Sequence, residues 1–407
     1  MIKVPVGDFK LGKTEKSAIK KVLDSGRISE GLKVFEFEKK WANYVGTEYS
    51  TAISSGTSAL IAGLTALRYH DDLEIKPQTK VITTPITYIS TSNSIVLSQF
   101  KPVYVDIDKD TFCITPEAIS EYLEKLDDPT DHSVILPVHL MGYACEMDKI
   151  NKIAKRFGLV TFEDSAQAHG TIYKGKRTGS LSLLSAFSFY IAHNIQAGEL
   201  GAINSNNKEI MALIRKIKAN GRMCDCTICL RNEGKCHRMK TSDSENDFDP
   251  RFAHDIIGWN FKVMEFQAAL ATSQLEKADD IMKIRSDNVK YLNEHLEKFD
   301  HILKLPNYDS NVSYLAYPLL IKNPDIISRK KIRYELEKKG VETRPLFGSI
   351  PTQQIAYEHI RDDYKGKIPN ADYVGKNAFY IGCHQYLEQN DLDYAISVLK
   401  GILKTIK

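Results

Sequence analysis

The chain has 407 residues, is 43% hydrophobic and 26% charged, and carries a formal net charge of +3. That length is enough for two domains with substantial cores, and so even a charge balance excludes a nucleic-acid or membrane surface as the main partner. No run of eighteen apolar residues occurs and Met1-Ile2-Lys3-Val4-Pro5 lacks the apolar core of a signal peptide, so a cytoplasmic protein is expected.

In chain order, Lys13 to Ser25 and Val34 to Tyr44 read as helices on either side of Gly26-Arg27-Ile28-Ser29-Glu30-Gly31. Ser54-Ser55-Gly56-Thr57-Ser58-Ala59-Leu60 ends an apolar approach and opens a helix through Leu67. Hydroxyls, a glycine and unpartnered first-turn amides at the positive end of a helix make Gly56, Thr57 and Ser58 an anion-site candidate. Short β-branched runs then alternate with helical stretches: Val81-Ile82-Thr83-Thr84, Val103-Tyr104-Val105, Val134-Ile135-Leu136 and Leu159-Val160-Thr161-Phe162. That alternation predicts an α/β fold with a doubly wound, mostly parallel sheet, whose ligand-binding residues belong at the carboxyl ends of the strands. Tyr88, in Thr87-Tyr88-Ile89-Ser90-Thr91, and Asp164, in Glu163-Asp164-Ser165-Ala166-Gln167, fall at such ends. His139, in Pro137-Val138-His139-Leu140, reads as a structural histidine at another.

From Ala186 to Ile203 an aromatic strand gives way to His193 and a loop punctuated by Gly198 and Gly201. An imidazole there suits proton transfer near neutral pH, with a core histidine capping a strand as the alternative. Lys208 to Arg222 reads as a helix. After it come Cys224, Cys226, Cys229 and Cys236, four of the seven cysteines. Thiolates so close in sequence can converge on one ion or cluster, and zinc and iron–sulfur both fit. Glu265 to Phe299 reads as one long helix near whose end the domain boundary falls. A large domain of residues 1–295, with the cysteine-rich insert at 223–237, is then followed by a small α/β domain of residues 296–407. The small domain holds a strand from Val312 to Ile321 and a helix from Ser328 to Lys339, and His384 is expected at its surface, with a place lining the cleft as the alternative.

Phe187-Ser188-Phe189-Tyr190-Ile191-Ala192-His193-Asn194, followed by Gly198-Glu199-Leu200-Gly201-Ala202, resembles the cofactor-lysine segment of the DegT/DnrJ family of sugar aminotransferases. His193 stands where that family has its lysine. The resemblance implies a fold-type-I aminotransferase architecture, a homodimer with shared active sites, and membership of the histidine-for-lysine branch. Enzymes of that branch bind pyridoxamine phosphate without a covalent link and remove the C3 hydroxyl of a nucleotide-linked 4-keto-6-deoxy sugar, with His193 as the catalytic base.

Residue by residue, the same resemblance implies that Gly56, Thr57 and Ser58 form the phosphate loop, with Ser188 a further cofactor contact. It implies that Tyr88 stacks on the pyridine ring, Asp164 holds its nitrogen and Gln167 contacts its hydroxyl. Asn260, in Gly258-Trp259-Asn260-Phe261-Lys262, would reach the partner's cofactor phosphate. Ser29 and Glu30 lie on a segment that reaches over the active site, and Arg344 is a candidate for the phosphates of the sugar nucleotide, which a guanidinium fits bidentately. The cysteine segment resembles that of iron–sulfur 3-dehydratases acting on a CDP-linked sugar, implying a [2Fe-2S] cluster on Cys224, Cys226, Cys229 and Cys236 served by an electron-transfer reductase. Those relatives carry a cysteine two places after the aspartate, and this chain has Ala166. Cys229 as the replacement ligand, a structural zinc in a cluster-free dehydratase, and a cofactor-binding regulator without catalysis all remain open.

Overall fold

The computed structural model describes residues 2–224, 226 and 252–405. Its larger sheet has seven strands in the order β1 (Tyr49–Ile53), β9 (Gly201–Ser205), β8 (Leu184–Ser188), β5 (Val160–Asp164), β4 (His132–Leu136), β2 (Lys80–Thr83) and β3 (Lys101–Tyr104). Pairing is parallel from β8 through β5, β4 and β2 to β3, and only β9 runs against the rest, antiparallel to both β8 and β1. The central strands are buried along their whole length, which is why they read as continuous apolar runs rather than alternating ones. The small hairpin β6 (Ile172–Tyr173) and β7 (Lys176–Arg177) lies between β5 and β8 in the chain.

Helices α3 (Gly56–Tyr69), α4 (Ser90–Leu97), α5 (Pro116–Glu124) and α6 (Met147–Phe157) connect the strands, and α7 (Lys208–Ile217) follows β9. All strands except β9 point the same way, so the loops after β1, β2, β5 and β8 open on one edge of the sheet. That edge is where a fold of this kind binds ligands.

Helices α1 (Lys13–Asp24) and α2 (Leu32–Val45) pack on α8 (Glu265–Leu275), and the expected single helix from Glu265 to Phe299 is broken between α8 and α9 (Ala278–Leu296). The break lets Gln274 and Lys277 converge on the buried carboxylate of Glu15 in α1, with Gln274 Nε2 at 2.9 Å from Glu15 Oε1. The helix expected to reach Arg222 stops at Ile217, because Asn220 and Gly221 adopt left-handed backbone and a Cβ on Gly221 would lie 1.7 Å from the Ile256 carbonyl oxygen.

The second sheet is antiparallel, in the order β10 (Leu303–Lys304), β11 (Tyr317–Ile321), β13 (Ala378–Ile381) and β12 (Arg344–Pro345). It is flanked by α10 (Arg329–Lys338), the single turns α11 (Ile350–Gln353) and α12 (Arg361–Tyr364), α13 (Pro369–Asn377) and α14 (Gln389–Leu403). The strand expected from Val312 begins only at Tyr317, since the carbonyls of Tyr314 and Leu315 accept from Arg285 of α9 instead of a neighbouring strand.

One carboxylate decides how the N-terminal helices sit. Glu265 Oε1 accepts the N–H groups of Gly31 and Val34, and Oε2 that of Lys33, all at 2.9 Å. These are first-turn amides of α2 with no partner of their own, and a negative charge suits that end of the helix dipole. Glu265→Ala is therefore expected to cost about 2–4 kcal/mol in urea unfolding, since it orphans three buried or half-buried donors. Glu276→Ala, which removes an exposed pair with Lys40, should cost under about 1 kcal/mol.

Candidate active site

At the ligand edge, β1 runs out into Ser54 and Ser55, and Ser55 Oγ caps α3 by accepting the Ser58 N–H at 3.1 Å. Ser58 Oγ lies 2.8 Å from Ser54 Oγ and 2.9 Å from Ser55 Oγ. The amides of Gly56 and Thr57 occupy the first turn, where the helix supplies no acceptor. Two glycines make this corner possible: a Cβ on Gly56 would lie 2.6 Å from Ser188 Cβ, and one on Gly201 would lie 2.2 Å from the Ser55 carbonyl oxygen. The result is a cradle of hydroxyls and N–H groups at the positive end of a 14-residue helix, with Ser188 at its side.

Neighbouring side chains on a strand face opposite ways, and Glu163 and Asp164 at the end of β5 show what that decides. Glu163 is fully served: Oε2 accepts from Gly179 N–H at 2.7 Å and from His139 Nε2 at 2.8 Å, and Oε1 from Leu181 N–H and Ser182 Oγ at 2.9 Å. His139 Nδ1 accepts the Cys145 N–H at 3.0 Å, which leaves the proton on Nε2 and makes this a structural pair. Asp164 is only 4% exposed, yet it accepts from two neutral groups, Thr91 Oγ1 at 2.9 Å and Ala166 N–H at 3.2 Å. Burial raises its pKa above the usual carboxylate value, partly offset by those two donors and by His139. A carboxylate held this way favours a ligand that brings an N–H or a positive charge.

Other side chains reach the same edge. Tyr88, three residues before Thr91, is 59% exposed, with its ring 6.2 Å from that of Phe347 and at a steep angle to it. Gln167 is buried and its Oε1 accepts the Met141 N–H at 3.0 Å, so the donor end is the one left for a ligand. His193 sits in the turn after β8, its N–H donating to the Tyr190 carbonyl at 2.9 Å. Its ring lies 6.0 Å from that of His169, and its Nδ1 is buried without a hydrogen-bond partner among the described residues. Burial first, and then the Arg285 guanidinium, push the His193 pKa down to about 4. At neutral pH this imidazole is an uncharged proton acceptor.

The remaining expected residues are placed less centrally. Glu30 gives its carboxylate to Lys218, a buried cation that also donates to the Ala52 carbonyl at 2.9 Å, and the Ser29 backbone bridges to Met264. Arg344 pairs with Glu342 at 3.1 Å, and it is Phe347, three residues on, that touches Tyr88. Asn260 is exposed beside Phe261, whose carbonyl accepts the Ser54 N–H at 3.0 Å. Cys224 is half-buried and Cys226 exposed, while Cys229 and Cys236 lie outside the described residues. His384 is corrected outright: it is 1% exposed, not at the surface. Sequence reasoning missed Thr91, although its four-residue spacing from Thr87 on a helix start was a usable signal, and it missed Phe347 and Arg285, for which no local pattern existed.

An anion cradle, a buried carboxylate and an uncharged histidine on the carboxyl edge of this sheet define a fold-type-I aminotransferase architecture. The chain belongs to the DegT/DnrJ/EryC1/StrS aminotransferase family, whose model matches residues 10–400. It is 31% identical over 399 residues to an uncharacterized protein of Methanocaldococcus jannaschii, covering 97% of this chain and 96% of that one. It is 27% identical to the GDP-4-keto-6-deoxy-D-mannose 3-dehydratase of Escherichia coli O55:H7, covering 98% of this chain and all of the relative. A solved structure of the E. coli GDP-4-keto-6-deoxy-D-mannose 3-dehydratase with bound hydrated pyridoxal phosphate superposes with a TM-score of 0.84 at 26% identity, over 98% of this chain and 100% of that one.

Four wholly or partly buried histidines make stability depend on pH. His132, His169, His193 and His384 all have folded pKa values pushed below the ordinary one, burial being the largest cause for each. Between those lowered values and about 6.5 the unfolded chain binds more protons than the folded one, so stability rises with pH there and is lost as pH falls. Asp164 and Glu38, whose pKa values burial raises, work in the opposite direction from about pH 4 upward. Urea midpoints should therefore fall between pH 7 and pH 5, by at most about 1.4 kcal/mol per pH unit for each histidine. His193→Asn should flatten the slope by one histidine's share.

Proposed function

We propose that the protein is a pyridoxamine-phosphate-dependent 3-dehydratase of a nucleotide-linked 4-keto-6-deoxy sugar. The observation that carries this reading is His193: an uncharged imidazole, in the loop after β8, at the position where the family resemblance gives lysine. The relatives named as 3-dehydratases of such sugars support the substrate class. A pyridoxal-phosphate-bound relative supports the cofactor.

The residues fit that cofactor. Asp164, buried and served by neutral donors only, would hold the ring nitrogen and keep its proton in place. The amides of Gly56 and Thr57 and the hydroxyls of Ser55, Ser58 and Ser188 would hold the phosphate, Tyr88 would cover the ring and Gln167 would face its hydroxyl. Asn260 would complete the phosphate site from the partner subunit of a homodimer. When bound, the cofactor supplies an amine for the sugar's ketone and a ring that accepts an electron pair. The chain's own part is to hold that ring by Asp164 and to take up and return a proton at the His193 imidazole. Because imidazole does not form the stable covalent attachment that lysine does, the cofactor remains free to leave in either form.

Ser29 and Arg344 belong to the substrate side of this proposal, and Glu30 orders the same loop through Lys218. We assign cofactor binding to residues 1–295 and closure over the cleft to residues 296–407. The cysteines at 224, 226, 229 and 236 are proposed to hold a [2Fe-2S] cluster that takes electrons from a reductase, with a CDP-linked sugar as substrate. A structural zinc in a cluster-free enzyme is the second reading, favoured by Ala166.

Three outcomes are expected. Borohydride treatment with pyridoxal phosphate should modify no active-site lysine in the native protein and should modify residue 193 in His193→Lys. His193→Asn should retain the cofactor while turnover on a 4-keto-6-deoxy sugar nucleotide falls about 10²–10⁴-fold; near-normal turnover would remove His193 from catalysis. For the cysteines, protein purified without air should be brown with about two irons per chain. One zinc and no visible absorption would select the cluster-free enzyme instead.

A further inference from the structure

Arg285, midway along α9, is 2% exposed. A guanidinium that deep is normally paired with a carboxylate, because an uncompensated buried charge is expensive. Among the described residues it pairs with none. Its Nη1 donates to the carbonyls of Leu315 at 2.8 Å and Tyr314 at 3.3 Å, and its Nε donates to Gln385 Oε1 at 3.0 Å. The ionisable groups nearest to it do not neutralise it. Burial pushes the Cys383 thiol up to about 11 even with the guanidinium beside it, and burial also raises the Tyr314 hydroxyl, which donates to the Asn307 carbonyl.

One of the segments that Arg285 grips, 313–315, is hydrogen-bonded to the His193 loop. Asn194, the next residue after His193, donates through Nδ2 to the Ser313 carbonyl at 2.6 Å. Ser313 is tied in turn to Thr171, and Leu315 N–H to the Met141 carbonyl at 3.1 Å. On the other side, α9 also holds residues 383 and 384, whose carbonyls accept from Asn288 Nδ2 at 3.2 and 3.3 Å. Three histidines surround this cation, and each has a buried ring nitrogen without a hydrogen-bond partner among the described residues: His193 Nδ1, His169 Nε2 and His384 Nε2.

We propose that Arg285 is a positioning residue for His193: it ties the 313–315 segment, on which Asn194 is anchored, to the 383–385 segment, and among the described residues no carboxylate cancels its charge. The inference deepens the proposed function and rests on His193 acting as base. Arg285 acts in the same direction on all three histidines. Burial and then Arg285 lower His193 and His384, and burial, His193 and Arg285 lower His169. Asp8 and Lys10 act on His384 in opposite directions, and Tyr386 acts on Arg285. The Tyr190 ring faces His193 edge-on at 6.3 Å.

The test changes the charge without dismantling the clamp. Gln385→Glu puts a carboxylate where Arg285 Nε already donates, and Arg285→Gln and Arg285→Lys remove the charge and only the planar fork, respectively. The imidazole titration of His193 is followed by nitrogen-15 NMR on the purified protein, its signal assigned by loss in His193→Asn, and is compared with the acid limb of the pH–turnover profile. Gln385→Glu and Arg285→Gln should move the His193 midpoint upward by roughly half a pH unit or more. Arg285→Lys should leave the midpoint in place while lowering turnover severalfold. If neither Gln385→Glu nor Arg285→Gln moves the midpoint, and the variants differ only in melting temperature, Arg285 is a structural residue and the inference falls. If the midpoint moves but the acid limb of turnover does not, the coupling stands and the reading of His193 as base is what fails.

Discussion

A carboxylate sealed at the end of β5 with two neutral donors is the constraint on which the rest of the site depends. Asp164 is put there by strand alternation: its neighbour Glu163 faces the other way into a full set of partners, so Asp164 has to face the ligand edge. Every other element of the site answers to that placement. The first turn of α4 supplies Thr91 as a donor, and the loop after β8 brings His193 to the same edge. A site in which one carboxylate is fully satisfied and the adjacent one is not tells which of the two belongs to the protein and which to its ligand.

The anion cradle is a second consequence of packing at close range. Gly56 and Gly201 allow the start of α3, the end of β8 and the start of β9 to approach backbone to backbone, closer than any side chain would permit. The antiparallel β9 is what brings Gly201 back against Ser55, so the one strand that departs from the parallel pattern is the one that closes the corner. Lys218 reinforces it from beneath, holding Glu30, the Ala52 carbonyl and the buried Glu38 in one cluster. The loop that carries Ser29 is thereby linked to the strand that leads into the cradle.

Charge in the interior is arranged with the opposite logic on the two sides of the site. On the Asp164 side a negative group is left short of donors, and on the His193 side a positive group is left short of acceptors that carry charge. Arg285 satisfies its N–H groups with carbonyls and an amide, which answers the hydrogen-bonding requirement without cancelling the field. A positive charge so arranged favours the uncharged form of a neighbouring imidazole.

How much of this was legible in the sequence follows from the range over which each signal acts. Buried parallel strands are continuous β-branched runs, so β2, β4 and β5 and the order of strands and helices could be read directly, and short local motifs marked the cradle at Gly56 to Ser58, the carboxylate at Asp164 and the histidine at 193. Where backbone conformation answers to distant groups the reading failed. The long helix after Glu265 breaks because Glu15 draws Gln274 and Lys277 together, the strand before Tyr317 is interrupted because Arg285 takes its carbonyls, and His384 is buried in the tertiary fold. The sequence alone determined which chemistry the strand ends could carry, because that depends on residue type and on alternation along a few residues. Only the tertiary structure decided that Glu163 is silent and Asp164 available, and that Arg285 has no carboxylate partner among the described residues, because both depend on groups more than a dozen residues away that no local pattern announces.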